Sequence, residues 1–145
     1  MQIMTQPNST LKFIIDLSKA QTLLSRRFDA KLSPHSLGFN DFIILYHLSQ
    51  APGEKLRRVD LADAIGLTAS GVTRMLEPME KNGLVVRERN ERDARVSFVV
   101  LAPGGKRILK EATKTAVYAA EEISASKTKQ FEKLTGLFNE MGGLL

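Results

Sequence analysis

Residues 67–101 read LTASGVTRMLEPMEKNGLVVRERNERDARVSFVVL, and this stretch decides the fold. Thr68 stands where a helix cap is needed, and Val72, Leu76 and Met79 follow at steps of four and three, one face of a helix. The other side carries Ser70, Thr73 and Arg74, two hydroxyls and a guanidinium near the helix start. Asn82-Gly83 suits a left-handed helix end, after which two apolar runs, Leu84 to Val86 and Val96 to Leu101, read as strands. Between them lies RERNERDAR, a loop too long for a two-residue hairpin and rich in arginine. A polar-faced helix followed by a two-stranded arm tipped with arginines suits the reading of one DNA groove and contact with the next.

The whole chain supports one folding unit. Its 145 residues suffice for a single well-buried domain. Lys and Arg total 21 against 16 Asp and Glu, a formal net charge of +5 that favours a polyanionic partner without proving one. The absence of cysteine excludes disulfides, thiolate zinc sites and thiol redox switching, and it fits a reducing cytoplasm. The start, MQIMTQPNST, lacks the basic and apolar segments of a secretory signal, and no apolar run reaches the 18 or so residues of a membrane span. A soluble, cytoplasmic protein without membrane contact is expected.

Working outward from the central stretch, Val59, Leu61, Ala62 and Ile65 make a short helix over about Arg58 to Ile65. Only Gly66 and Leu67 separate it from the Thr68 cap, the spacing of a helix-turn-helix. Upstream, Asn40 is expected to cap a helix carrying Phe42, Ile43, Leu45, Tyr46 and Leu48, and Gln50 to Gly53 reads as a loop. From Leu11 to about Leu32, Phe13, Leu17, Ala20, Leu24 and Phe28 mark a long amphipathic helix. Downstream, Pro103-Gly104-Gly105 interrupts the chain and a helix is expected from Lys106, with Ile108, Ala112, Ala116, Ala119 and Ile123 in a narrow stripe. A last segment repeats the pattern with Phe131, Leu134, Leu137, Phe138 and Met141. The terminal stripes lie outside the middle of the chain and need covering, which a second copy in a two-fold dimer would supply.

Each polar feature has an ordinary explanation. Val72, Leu76 and Met79 are core residues. Ser70 and Thr73 can be solvated helix residues, but beside Arg74 they stand where base edges and phosphates would be met. In the loop, Glu88, Glu91 and Asp93 nearly balance Arg87, Arg89, Arg92 and Arg95, so net charge does not decide its role. Spacing does: Asp93 is two residues from Arg95 and can hold that guanidinium by a charge-assisted bond, aiming it rather than cancelling it. An oriented arginine suits a narrow minor groove, where negative potential is focused. Lys55, Arg57, Arg58, Arg87 and Arg89 are candidates for phosphate contact.

The run GLTASGVTRMLEPMEKNGLVVRERNERDARVSFVVLAPGGKRIL, residues 66–109, resembles the signature of the MarR family of winged helix-turn-helix regulators. The shared features are the turn, the helix closing in Glu-Lys-Asn-Gly-Leu-Val, the Asp-x-Arg wing motif as Asp93-Ala94-Arg95, and the Leu-x-x-x-Gly start of the next helix as Leu101 to Gly105. The resemblance implies a mainly α fold with a small antiparallel β-wing. In that reading 1–145 is a single unit, 8–36 and 104–145 are dimerisation helices, and 37–103 is the winged-helix DNA-binding lobe. It further implies a homodimer on a pseudo-palindromic operator, most often a repressor relieved by a small aromatic or anionic ligand.

Carried onto this sequence, the DNA-binding set is Thr68, Ser70, Gly71, Thr73 and Arg74 at the major groove, with Arg87, Arg89, Arg92, Asp93 and Arg95 in the wing. Phe13, His35, Phe39, Phe42 and Tyr46 are candidates for an effector pocket, although core packing is the better account of Phe42 and Tyr46. Two positions depart from the family pattern: Pro78 should kink the recognition helix or mark its last turns, and Ala102 replaces the usual hydroxyl cap of the fifth helix. The competing reading is a winged-helix protein–protein adaptor, against which Arg92 and Arg95 argue. An enzyme is not expected, since the chain has no glycine-rich phosphate loop and no nucleophile set in an activating context. Nor is a cofactor or metal, as His35 and His47 have no thiolate partner.

Overall fold

The computed structural model describes residues 5–93 and 95–143. Asn8 opens the first helix, α1 (Ser9–Leu32), its Oδ1 accepting from Leu11 N at 2.8 Å. A 3-10 turn, Ser33–His35, leads to α2 (Phe39–Gln50). The expected Asn40 cap is not the one used: the helix starts at Phe39, and Gly38 is its N-cap. The orphan N–H groups there are met by acids instead, Asp41 Oδ2 accepting from Gly38 N at 3.0 Å and Asp29 Oδ1 from Phe39 N at 2.7 Å. Asp29 belongs to α1, so this cap also ties the two helices together.

After a second 3-10 turn at Pro52–Glu54 come β1 (Lys55–Arg57) and α3 (Arg58–Ile65). Gly66 closes α3 at φ 72°, a conformation costly for any residue with a Cβ. Thr68 caps α4 (Ala69–Lys81), accepting from Gly71 N at 3.1 Å. Val72, Leu76 and Met79 are almost completely buried, at 0, 1 and 2% exposure. Pro78 sits in the last turn of α4, where its missing N–H deprives only the Arg74 carbonyl of its helical partner. The helix runs three residues past it.

The arm is formed by β2 (Val85–Arg89) and β3 (Ser97–Leu101), antiparallel, with Val85 opposite Leu101 and Arg89 opposite Ser97. Pairing continues through Arg87, Glu88 and Arg89, so β2 is longer than the apolar run alone indicated. On the other edge of β3 lies β1, Lys55 opposite Val100 and Arg57 opposite Phe98, giving a three-stranded antiparallel sheet in the order β1-β3-β2. Strand β1 has no counterpart in the sequence pattern, because three residues, two of them charged, carry no alternation.

The chain then enters α5 (Pro103–Ser124) and α6 (Thr128–Gly142). Pro103 to Gly105 is the first turn of α5, not an interruption before it. Pro103 at the first position has no N–H to satisfy, which offsets the lack of a side-chain cap at Ala102. The two glycines permit a backbone-to-backbone seam with the turn after α4. Ala102 N donates to Leu84 O at 3.1 Å, and a Cβ at Gly105 would collide with that same Leu84 oxygen.

The core centres on α2: Ile44, Leu45 and Leu48, all at 0% exposure, meet Leu61 of α3, Val72 and Leu76 of α4, Val85 and Val99 of the sheet, and Leu109, Ala112 and Ala116 of α5. Small residues on α5 let it approach both α1 and α2 closely. The outer elements are different. α6 has no buried residue, and Phe131, Leu134, Leu137 and Phe138 are exposed along it, as are Leu11, Phe13, Ile14, Ile15, Leu23 and Leu24 on α1. Among the described residues no helix is long and apolar enough to cross a membrane.

Candidate nucleic-acid interface

The apolar stripe of α4 faces the core, and this fixes what the other face presents. Ser70 and Arg74, one turn apart, are exposed. Arg74 makes no ion pair among the described residues. Ser70 Oγ lies 3.3 Å from Thr68 Oγ1, whose oxygen also accepts from Gly71 N. A Cβ at Gly71 would lie 3.2 Å from that oxygen, so Gly71 keeps the cap tight. Thr73 is placed differently from its neighbours. Its hydroxyl donates to Ala69 O at 2.9 Å and accepts from Arg58 Nη1 at 3.0 Å, so the group is committed inside the protein.

At the far end of the arm, Asp93 does what its spacing indicated. Its Oδ1 accepts from Arg95 N at 3.0 Å and from Arg95 Nε at 3.4 Å, while the Arg95 side chain stays 93% exposed. The acid therefore holds the arginine without burying it. Asn90 plays a similar part, its Oδ1 accepting from Arg92 N at 2.9 Å. Asn90 N and Val96 O close the loop neck at 3.0 Å. Arg89, Arg92 and Arg95 are all exposed. Ala94, the middle of the Asp-x-Arg motif, lies outside the described residues.

The cations nearer the root of the arm are engaged. Arg87 Nη2 donates to Glu80 Oε1 of α4 at 3.2 Å. Lys55 pairs with Glu88 at 3.0 Å and sits 5.0 Å from the centre of the Phe98 ring, a cation–π position. Arg57 grips Asp60 through two bonds, of 2.7 and 3.1 Å. Hydrogen bonding to Arg57 holds the Asp60 carboxyl below its ordinary value, and the same bond raises the guanidinium. An exposed ion pair of this kind contributes little to stability. Its effect is to point Arg57 along α3. Arg58 reaches inward, to Thr73 of α4 and, at 3.4 Å, to Ser97 Oγ of β3. Arg57, Arg58 and Arg95 line one cleft of about 280 Å³ together with Ala69 and Ser97.

The five effector candidates do not converge. His35 Nε2 lies 2.8 Å from Thr115 Oγ1 of α5. Phe39 stacks on Phe28 at 4.7 Å between ring centres, and Phe42 packs against the core. Tyr46 is half exposed with its ring edge toward His47, and Phe13 is exposed on α1. An open cleft of about 280 Å³ between α1 and α2, lined by Leu17, Leu24, Phe39, Asn40 and Ile43 among others, takes in only Phe39 of the five. No cluster of three metal-ligating side chains exists among the described residues.

Comparison with known proteins adds the following. The profile of the MarR family matches residues 35–96, from the turn before α2 through β2 and the loop, ending just before β3. The transcriptional regulator BldR from Sulfolobus solfataricus is 26% identical, covers 98% of this chain and 100% of its own, and superposes with a TM-score of 0.85. AbsC, a MarR family transcriptional regulator from Streptomyces coelicolor, is 25% identical over 97% of this chain and 99% of its own, with a TM-score of 0.78. Sco3205, also a MarR family regulator from Streptomyces coelicolor and solved in complex with DNA, shares the fold at 22% identity, 97% and 91% coverage and a TM-score of 0.81.

Proposed function

We propose that the chain is a member of the MarR family of winged helix-turn-helix DNA-binding transcription regulators, and that it is a homodimer which represses transcription from a pseudo-palindromic operator. Residues 37–103 form the DNA-binding lobe, and 8–36 with 104–145 hold two copies together. Each copy presents α4 to a major groove, with half-sites about one helical turn, or roughly 34 to 36 Å, apart. Ser70 and Arg74 meet base edges. Thr73, its hydroxyl committed internally, contributes shape. Arg92 and Arg95 enter the neighbouring minor groove, with Asp93 orienting Arg95, and Arg89 contacts phosphate.

One observation carries this reading. Exposed Ser70 and Arg74 on α4 and exposed Arg92 and Arg95 on the arm belong to elements packed into one unit, and Arg95 shares a cleft with Ala69 at the start of α4. For the dimer, the support is the uncovered face of α6 and α1. Apolar residues at that density on two neighbouring termini are seldom left to solvent.

Release by a small aromatic or anionic ligand completes the proposal, and the apolar cleft between α1 and α2 supports it. The experiment is a fluorescence anisotropy titration of DNA from the gene's own promoter, with random DNA as competitor and salt varied, repeated with a panel of aromatic acids. A discriminating affinity, at least 10³-fold over random DNA, is the expected result. Equal affinity for both would refute the reading.

A further inference from the structure

Arg58 is the one arginine of this surface that neither reaches solvent freely nor meets a carboxylate. Arg57, Arg87 and Arg95 pair with Asp60, Glu80 and Asp93. Arg58 instead spends its guanidinium on two hydroxyls, Thr73 Oγ1 of α4 at 3.0 Å and Ser97 Oγ of β3 at 3.4 Å, and its Nε is buried without a partner among the described residues. Keeping a cation half-buried against neutral acceptors is costly, so the arrangement is not explained by charge neutralisation.

Its geometry points elsewhere. Thr73 sits in the second turn of α4, and Ser97 is the first residue of β3, opposite Arg89 where the paired strands pass into the arginine-rich loop. Arg58 itself begins α3. One planar fork thus joins the helix that reads DNA, the strand that carries the arm and the helix between them. It also dictates the Thr73 hydroxyl: with Arg58 donating to it, the proton must point to Ala69 O, and the hydroxyl has no donor left for a base.

We propose that Arg58 is a positioning residue for DNA recognition, holding α4 and the arm at one fixed angle through Thr73 and Ser97 rather than binding phosphate itself. The proposal rests on the DNA-reading function set out above. Lysine cannot replace it, because a single ammonium on a flexible stem lacks the two-pronged fork that spans both hydroxyls.

Two measurements on the full-length protein test it. The first uses no DNA: thermal unfolding of Arg58→Lys, of Thr73→Val with Ser97→Ala, and of all three together. Arg58→Lys should lower Tm by about 3 °C in the native background, a drop typical of one lost interaction in a chain of this size. It should change Tm little once the two hydroxyls are gone. Additive losses would overturn the proposal.

The second is the ratio of affinities for promoter and random DNA across a salt series. Arg58→Lys should reduce that ratio about tenfold while leaving the slope of log K against log salt unchanged. If Arg58 bound phosphate directly, the lysine variant would keep the native ratio, and that result would equally overturn the proposal. Should the native protein itself fail to discriminate, the DNA function falls, while the unfolding cycle still decides whether Arg58 locks the two elements.

Discussion

Replacing Gly105 with alanine adds one methyl group, yet it should be among the most damaging single changes in this chain. An ideal Cβ there collides with the Leu84 carbonyl oxygen and lies 3.0 Å from both Leu84 C and Leu101 Cδ1. Backbone cannot rotate away as a side chain tip can, so α5 must separate from the turn after α4. That separation also stretches the 3.1 Å bond from Ala102 N to Leu84 O, and Ala102 is only 5% exposed, so water cannot readily replace the acceptor. Overpacking of this kind costs about 1–3 kcal/mol. A buried donor left without a partner adds about 1–3 kcal/mol. The gain in helix propensity on going from Gly to Ala returns at most about 1 kcal/mol. The net loss is about 3 kcal/mol, which lowers Tm by about 10 °C in a chain of this size.

Gly136→Ala is the matched control. Gly136 lies inside α6, where a Cβ meets nothing within 4 Å, so only the propensity term acts and the variant should be slightly more stable than the native chain. Thermal unfolding followed by far-ultraviolet circular dichroism, at one protein concentration throughout, compares the two. Opposite signs are expected. Equal Tm for the two variants would refute the argument from the seam.

Further outcomes concern the surface. Arg74→Ala should weaken binding to promoter DNA by about 1–3 kcal/mol while sparing random DNA, and equal losses on both would remove Arg74 from the base-reading set. Arg89→Ala should weaken both alike and flatten the salt slope by about one unit, whereas an unchanged slope would exclude a phosphate contact. Leu137→Glu, on the uncovered face of α6, should shift the protein toward monomer in light scattering, and an undisturbed dimer would place the interface elsewhere. Hydrogen bonds from Lys31 and then Arg27 hold the Glu122 carboxyl below its ordinary value. A depressed carboxylate stabilises above its unfolded pKa and loses that contribution as pH falls through the folded one. The stability difference between the native chain and Glu122→Gln should therefore be present at neutral pH and shrink progressively once the pH falls below the ordinary glutamate value of about 4.3, while a constant difference throughout acidification would show that the ion pairs with Arg27 and Lys31 do not matter.

What could be read from the residues alone followed a simple division: local patterns were legible and distant partners were not. The α4 stripe, the Thr68 cap, the Gly66 stop and the Asp93–Arg95 bond all involve residues within a few positions of one another, where periodicity and turn chemistry act directly. Asn40 is a good capping residue in the right place for α2, but Asp41 and Asp29 supply the acceptors, the latter ten residues upstream of Phe39. Strand β1 exists only because β3 offers an edge more than forty residues away. Charge alone places Arg58 among the phosphate contacts. Its hydroxyl partners lie 15 and 39 residues along the chain, and no single-sequence signal joins them. Phe13, His35, Phe39, Phe42 and Tyr46 share only residue type, and the fold spreads them over two helices, the turn between them and the core.

The seam between Leu84 and Gly105 also has a mechanical meaning. A helix of 22 residues such as α5 is about 33 Å long, and one end of it is fixed to the turn after α4 by backbone against backbone, with no side chain between to take up slack. α5 is therefore a lever with its fulcrum at the root of the arm. Tilting it by about 5° carries the Ser124 end about 3 Å, and a joint without play passes the same angle on to the start of β2 and the end of α4.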